Sequence, residues 1–231
     1  MPADIERQTS LSVERVGVEI DDRAILTDVS VELTAARTVV IGANGSGKST
    51  FARLLNGLTA PTAGRVTVHG LDSVRDRSEV RRRVGFVFTN PDAQILMPTP
   101  AEDLALSLRG RPKKEVTAKV AAALTAHGLN AHADAPASSL SGGQKQMLAL
   151  ASVLITEPDI VIADEPTTLL DLANARRVGD LLLSQPAQVV LVTHDLELAA
   201  RCDVALLFDA GRLVRQGEPA EVIDAYRRGC A

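Results

Sequence analysis

A short apolar run, Val39-Val40-Ile41, leads directly into Gly42-Ala43-Asn44-Gly45-Ser46-Gly47-Lys48-Ser49-Thr50, which fits the pattern G-x-x-x-x-G-K-[ST]. No other segment restricts the fold as tightly, because such a loop carries out its chemistry only between a strand and a helix. Its glycines let the backbone curl so that successive N–H groups point inward at phosphate oxygens, and the helix that follows adds its positive dipole end. Lys48 is then expected to reach the β- and γ-phosphates. Ser49 offers a hydroxyl to magnesium, which prefers hard oxygen ligands and keeps several waters. Gly42, Asn44, Gly45, Ser46, Gly47, Lys48, Ser49 and Thr50 are therefore the expected cradle for the phosphates of ATP.

The rest of the chain supplies the matching α/β pattern. Val84 to Phe88, Ile160 to Ala163 and Val189 to Val192 are further β-rich apolar runs bounded by turn or polar residues, as buried strands of a mainly parallel sheet are. Leu11 to Leu33 breaks at Asp21-Asp22 and reads as antiparallel hairpins. From about residue 98 to 155 the character turns helical, with Leu104, Leu108, Val116, Val120, Ala123 and Leu124 spaced for an inner face. The expectation is one domain over residues 1–231, with an antiparallel β subdomain and a helical insertion. A formal charge of −4 leaves no chain-wide basic footprint, so no nucleic-acid partner is expected. Two distant cysteines, Cys202 and Cys230, are too few for a disulfide framework. The polar start MPADIERQTS has no apolar signal core and no run is long enough to span a bilayer, which points to a soluble, cytoplasmic chain.

Two further constellations suit phosphate chemistry. Ile160 to Ala163 ends in Asp164-Glu165: Asp164 is placed to act on the magnesium shell, and Glu165 to polarise an attacking water as general base. His194 follows the Val189 to Val192 run, on the edge where parallel sheets place their ligands. Leu140-Ser141-Gly142-Gly143-Gln144 precedes a helix expected over Lys145 to Ile155; Ser141 is a good N-cap, and a helix N-terminus beside two glycines is an anion site that needs a phosphate from elsewhere.

With Leu140 to Gln144 in place, the sequence resembles the ABC ATPases over nearly its whole length. Gly42 to Thr50 is similar to their Walker A motif, Ile160 to Glu165 to the Walker B, Leu140 to Gln144 to the signature motif, Thr168 to Asp171 to the D-loop and His194 to the switch histidine. The resemblance implies ATP hydrolysis by Lys48, Glu165 and His194 in a head-to-tail dimer, homomeric or heteromeric. Each ATP would lie between one P-loop and Ser141, Gly142, Gly143 and Gln144 of the other subunit. A narrower stretch, Phe88 to Gln94 with Met97-Pro98-Thr99 and Glu102-Asp103, is similar to ATPases of energy-coupling factor importers of vitamins and transition metals, and its wording is nearest the biotin type. This implies a peripheral place on the cytoplasmic face of the membrane, beside a transmembrane coupling subunit and a membrane substrate-binding subunit. It also implies that Gln94 lies on a helix facing the membrane partner. The alternative is a soluble ABC ATPase of assembly or translation, although translation factors carry tandem units and this chain has one. Two positions depart from the family pattern. Thr89 stands where a Q-loop glutamine is usual, so its contact with magnesium would need a bridging water. Ile20 stands near where an aromatic often stacks on adenine, so only apolar contact with the base is expected.

Overall fold

The structure, a computed structural model, describes residues 11–229; the first ten residues and Cys230 lie outside the described residues. Two sheets organise it. Six strands form the larger one, in the order β10-β9-β3-β8-β7-β6, where β3 is Arg37–Gly42, β6 Val84–Val87, β7 Ile160–Asp164, β8 Gln188–Val192, β9 Val204–Asp209 and β10 Arg212–Gly217. The pairs β9–β3, β3–β8, β8–β7 and β7–β6 are parallel, and β10 closes the far edge as an antiparallel hairpin with β9.

The apolar runs are continuous because both faces of this sheet are covered. Alternate residues separate cleanly: Val40, Ile160, Ile162, Val190, Val192, Leu206 and Phe208 enter one core, while Val39, Ile41, Val161, Ala163, Val189, Leu191 and Leu207 enter another. The first core lies beneath α1 (Lys48–Leu55) and the smaller antiparallel sheet β2-β1-β4-β5. In that sheet β1 (Leu11–Ile20) and β2 (Arg23–Leu33) form the expected hairpin, joined by β4 (Ala63–Val68) and the two-residue β5 (Leu71–Asp72). Asp21 and Asp22 turn it with φ of 50° and 60°, the paired left-handed conformation of a tight hairpin turn. The second core is covered by α6 (Leu172–Leu183), the short α7 (Leu196–Ala199) and α8 (Pro219–Gly229). Cys202 is buried there, and burial pushes its thiol up to about 12, so it is an inert apolar filler.

A third apolar cluster belongs to the helical insertion: α3 (Pro100–Ser107), α4 (Lys113–His127) and α5 (Gly142–Leu154), with α2 (Arg77–Arg83) lying earlier, before β6. All six residues expected on its inner face belong to this cluster. The signature helix α5 begins at Gly142, three residues before the expected Lys145, because Ser141 and Gln144 cap it reciprocally and draw both glycines into the first turn. Among the described residues no helix is long and apolar enough to cross a membrane.

The strand order rests partly on one side chain. Arg37, at the start of β3, donates to the backbone carbonyls of Leu183 and Ala187 at 2.8 and 3.0 Å and also to that of Gln185, tying the α6–β8 connection down beside β3. Charged hydrogen bonds of this kind contribute about 1.5–3 kcal/mol net of the exchange with water, less where the group is part exposed. Arg37→Ala is expected to lower the unfolding free energy by about 2–3 kcal/mol while leaving nucleotide affinity unchanged. Urea denaturation and equilibrium binding would check the two halves separately.

Candidate functional site

Because β3, β8, β7 and β6 run parallel, their carboxyl ends open on one edge of the sheet, and each delivers one expected residue there. β3 runs into the P-loop, β8 ends two residues before His194, β7 ends in Asp164, and Thr89 follows β6 by two residues. Since β8 lies between β3 and β7, His194 emerges between the P-loop and Glu165.

The P-loop is gripped from behind. Gly47 has φ of 96°, and a Cβ there would stand 2.6 Å from Leu26 Cδ2 and 3.0 Å from the Ile25 carbonyl, so glycine is required both conformationally and sterically. The Gly211 N–H, in the β9–β10 turn, donates to the Ser46 carbonyl at 3.1 Å, and Thr27 N–H donates to the Gly211 carbonyl at 2.9 Å. Strand β2 and the β9–β10 turn thus clamp the loop together. Ala43, Asn44 and Gly45 remain exposed, whereas the Ser46 hydroxyl is buried without a hydrogen-bond partner, a donor suited to a phosphate oxygen. Lys48 extends its ammonium to the Gly42 and Ala43 carbonyls at 2.8 and 2.9 Å. Burial holds Lys48 below the ordinary lysine range, opposed by the charges of Glu165 and Asp164.

Ser49 donates to Asp164 Oδ1 at 2.8 Å, joining two elements 115 residues apart. Burial raises the Asp164 carboxyl above the ordinary carboxylate range, against the Ser49 hydrogen bond and the charge of Arg53, whose guanidinium stands 4.0 Å from Oδ2. A hydroxyl and a carboxylate in contact form a hard oxygen pair at the foot of the P-loop, a donor set that suits magnesium. Among the described residues no three His, Cys, Asp or Glu side chains cluster to hold a metal alone, so a cation here would take its other ligands from phosphate and water.

Glu165 adopts φ of 52°, an unusual conformation for a side chain with a Cβ, and it is held there. Its N–H donates to the Val192 carbonyl at 2.9 Å; its Oε2 accepts from the Thr168 hydroxyl at 2.9 Å and from His194 Nδ1 at 2.8 Å. The His194 side chain is 60% exposed, so this imidazole is not a buried structural group. Neither bond uses Oε1.

Thr89 is oriented differently from expectation. Its hydroxyl donates to the backbone carbonyl of Asp164 at 2.8 Å, pinning the end of β7 to the loop after β6. Gln94 also differs. It caps a short 3-10 turn, Pro91–Ala93, and turns inward, accepting from Phe88 N–H at 3.1 Å and donating to the Ala149 carbonyl of α5 at 2.9 Å. The same loop is tied to α5 by Lys145, 2.7 Å from Asp92. Beyond it Asp103, 4% exposed, accepts the N–H groups of Leu96 and Met97 and shapes a groove of about 470 Å³ lined by Ile95, Leu96, Met97, Pro136 and Ala137. Leu96 is 73% exposed in it.

Ser141 is exposed at the tip of α5. Gly143 is needed there for steric reasons, since a Cβ would stand 2.7–2.8 Å from the side-chain amide of Asn174, which donates to Asp171 Oδ2 at 3.0 Å. The amide oxygen of Gln144 accepts Ser141 N–H in the cap. Ile20 is 48% exposed at the β1–β2 turn, and Tyr226 packs against the second core. The roles of Thr168, Arg53 and Asn174 were not foreseen from sequence. Only Thr168, three residues after Glu165, stood in a segment already singled out.

Gln94→Ala strands an amide N–H and a carbonyl in part-buried surroundings, and is expected to cost about 1–3 kcal/mol of stability. Chemical denaturation of the purified variant would measure it.

The profile of the ABC transporter family matches residues 26–168. A biotin transport ATP-binding protein of Rhizobium etli is 44% identical over 220 residues, which cover 94% of this chain and 98% of that protein. An energy-coupling factor transporter ATP-binding protein of Lactobacillus delbrueckii subsp. bulgaricus is 40% identical over 87% of this chain and 75% of its own length. Among solved structures, cbiO1 from Clostridium perfringens, part of the ABC transporter complex cbiONQ, superimposes with a TM-score of 0.83 at 29% identity, covering 94% of this chain and 91% of that one.

Proposed function

The chain belongs to the ABC transporter family, and from that premise we propose that it is the ATP-hydrolysing subunit energising an energy-coupling factor importer, with biotin as the favoured cargo. The observation that carries the proposal is the convergence of Lys48, the Ser49–Asp164 pair and the Glu165–His194 pair on one edge of the sheet, from three adjacent parallel strands. The likeness to the biotin protein over 94% of the chain, and to the energy-coupling factor protein over 87% of it, supports the transport assignment.

In this mechanism the P-loop amides and Lys48 hold the β- and γ-phosphates, and Ser49 and Asp164 would hold magnesium, which would supply charge neutralisation. Glu165, steadied on Oε2 by Thr168 and His194, accepts a proton from water as its oxygen attacks the γ-phosphorus; the bond to the β–γ bridging oxygen breaks, giving ADP and phosphate. Ser141 and Gly143 serve the ATP of a second ATPase subunit, since an exposed, capped helix terminus with two glycines offers N–H groups to an anion. Thr89, bonded to the Asp164 carbonyl, holds the end of β7 and would reach a bound magnesium only through that positioning or across a water. Hydrolysis reopens the dimer, and a helix of the transmembrane coupling subunit docked in the groove beside Leu96 receives the motion. The chain then sits at the cytoplasmic face of the membrane with that subunit and a membrane substrate-binding subunit.

Glu165→Gln is expected to keep ATP binding and lower turnover by about 10²–10⁴-fold, the usual contribution of a general base; steady-state phosphate release measures it, and unchanged turnover would remove Glu165 from the mechanism. The transport assignment is tested by purifying the chain with its membrane partners, reconstituting them in vesicles and following labelled biotin with ATP supplied on the ATPase side. Uptake that requires ATP and is lost with Glu165→Gln is the expected result; ATP-driven uptake of a divalent metal ion instead would reassign the cargo.

A further inference from the structure

The signature helix carries a hydrogen-bond chain that extends beyond its capping box. Ser141 N–H donates to Gln144 Oε1 at 2.8 Å, the Ser141 hydroxyl accepts from Gln144 N–H at 3.3 Å, and Gln144 Nε2 lies 2.8 Å from His132 Nε2. A glutamine amide has one accepting oxygen and one donating nitrogen. With the oxygen committed to Ser141 N–H, the nitrogen is the donor toward His132. His132 Nε2 is therefore the acceptor, in a neutral imidazole with its hydrogen on Nδ1. Turning the amide over would set its NH₂ against Ser141 N–H, donor against donor, and uncap the helix.

His132 is held in place for this. It ends the 3-10 turn Asn130–His132, its N–H bonded to the carbonyl of Leu129 at 2.9 Å and its own carbonyl accepting from Ala135 N–H at 3.1 Å. Leu129 is 1% exposed within the third apolar cluster. The imidazole thus approaches the signature from the body of the helical insertion, at a site where an acceptor decides which way the Gln144 amide faces.

We propose that His132 is a positioning residue of the composite ATP site, locking Gln144 so that Ser141 and the first turn of α5 are presented in one orientation to the second subunit's nucleotide. The inference rests on the composite-site assignment above. It concerns assembly of the site, and the P-loop lies on a different element, so binding of ATP to the single subunit does not depend on it. A hydrogen bond worth about 1 kcal/mol changes an equilibrium about fivefold; the contact exists in the single subunit too, so its loss acts by letting the free terminus leave the presented orientation, which weakens a symmetric dimer with two such contacts by at most about 25-fold.

The experiment follows ATP-induced dimerisation of the full chain by light scattering in the hydrolysis-deficient Glu165→Gln background, with ATP affinity of the monomer and thermal melting measured in parallel. His132→Leu, which removes the acceptor, is expected to weaken dimerisation by about 5- to 25-fold with unchanged monomer affinity. His132→Gln, which restores a carbonyl acceptor of similar reach, should return it to within about threefold of the parent. Dimerisation unaffected by His132→Leu, or lost equally in both variants, overturns the proposal. Should His132→Leu melt early, His132→Lys supplies the second test: its ammonium only donates and would face the Gln144 amide donor against donor, so dimerisation should weaken as with His132→Leu, and dimerisation at the parent level overturns the proposal. Ser141→Arg separates the two levels. If it leaves dimerisation intact, the composite-site assignment fails; if it abolishes dimerisation while His132→Leu does not weaken it, only the role of His132 fails.

Discussion

The burial of both faces of the parallel sheet is the constraint from which the rest follows. A strand covered on both sides has no polar face on which to carry chemistry, so functional residues are displaced to its ends. In this chain β3, β8 and β7 are 0–3% exposed along their apolar runs, and the polar groups at their ends are the P-loop, Thr193-His194 and Asp164-Glu165. Side chains far apart in sequence meet there because the strand order is not the chain order: β8 enters between β3 and β7, which sets a histidine between a phosphate loop and a carboxylate.

The two halves of the proposed composite site are built by different physics. The P-loop is overdetermined, with a glycine whose Cβ would strike Leu26, a turn bonded to Ser46, and Ser49 bonded to Asp164. The signature terminus is held by a few local contacts instead, the cap of Ser141 by Gln144, the reach of His132 and the seating of Gly143 against Asn174. A terminus fixed by a handful of hydrogen bonds worth about 1 kcal/mol each can be presented or withdrawn at small cost, which suits a surface that engages and releases another subunit in each cycle. Gln94 and Lys145 bridge the halves, since both connect α5 to the loop that follows β6. Motion of the helical insertion is thereby mechanically linked to the backbone beside Asp164, where Thr89 is bonded.

Much of the site was legible because its parts are local in sequence. The P-loop pattern needs only nine consecutive residues, and the Asp164-Glu165 pair announces itself at the end of an apolar run. The inner face of the helical insertion followed from spacing alone, and all six residues named for it lie in one cluster. Side-chain direction was less accessible. Thr89 could be recognised as replacing a longer residue, but its hydroxyl goes to a backbone carbonyl 75 residues away. Gln94 could be placed beside a proline turn, but its inward orientation depends on the Ala149 carbonyl in a helix packed later. The start of α5 moved to Gly142 because a capping box outweighed the poor helix propensity of two glycines.

The amino-acid sequence by itself determined the α/β class, the phosphate loop, the acidic strand end and the signature turn, because periodicity, glycine spacing and capping are properties of a few adjacent residues. Tertiary structure alone decided which partner each of those groups would have: Asp164 for Ser49, Glu165 for His194, Asn174 against Gly143, and His132 for Gln144. Three of these pairs span 29 to 115 residues or join separate helices. Even the twelve-residue separation of His132 and Gln144 spans a turn whose path is set by packing. A hydrogen bond is satisfied or lost within a few tenths of an ångström, a precision that pattern in the chain cannot encode until the cores around Val40 and Val39 have closed on both sides of the sheet.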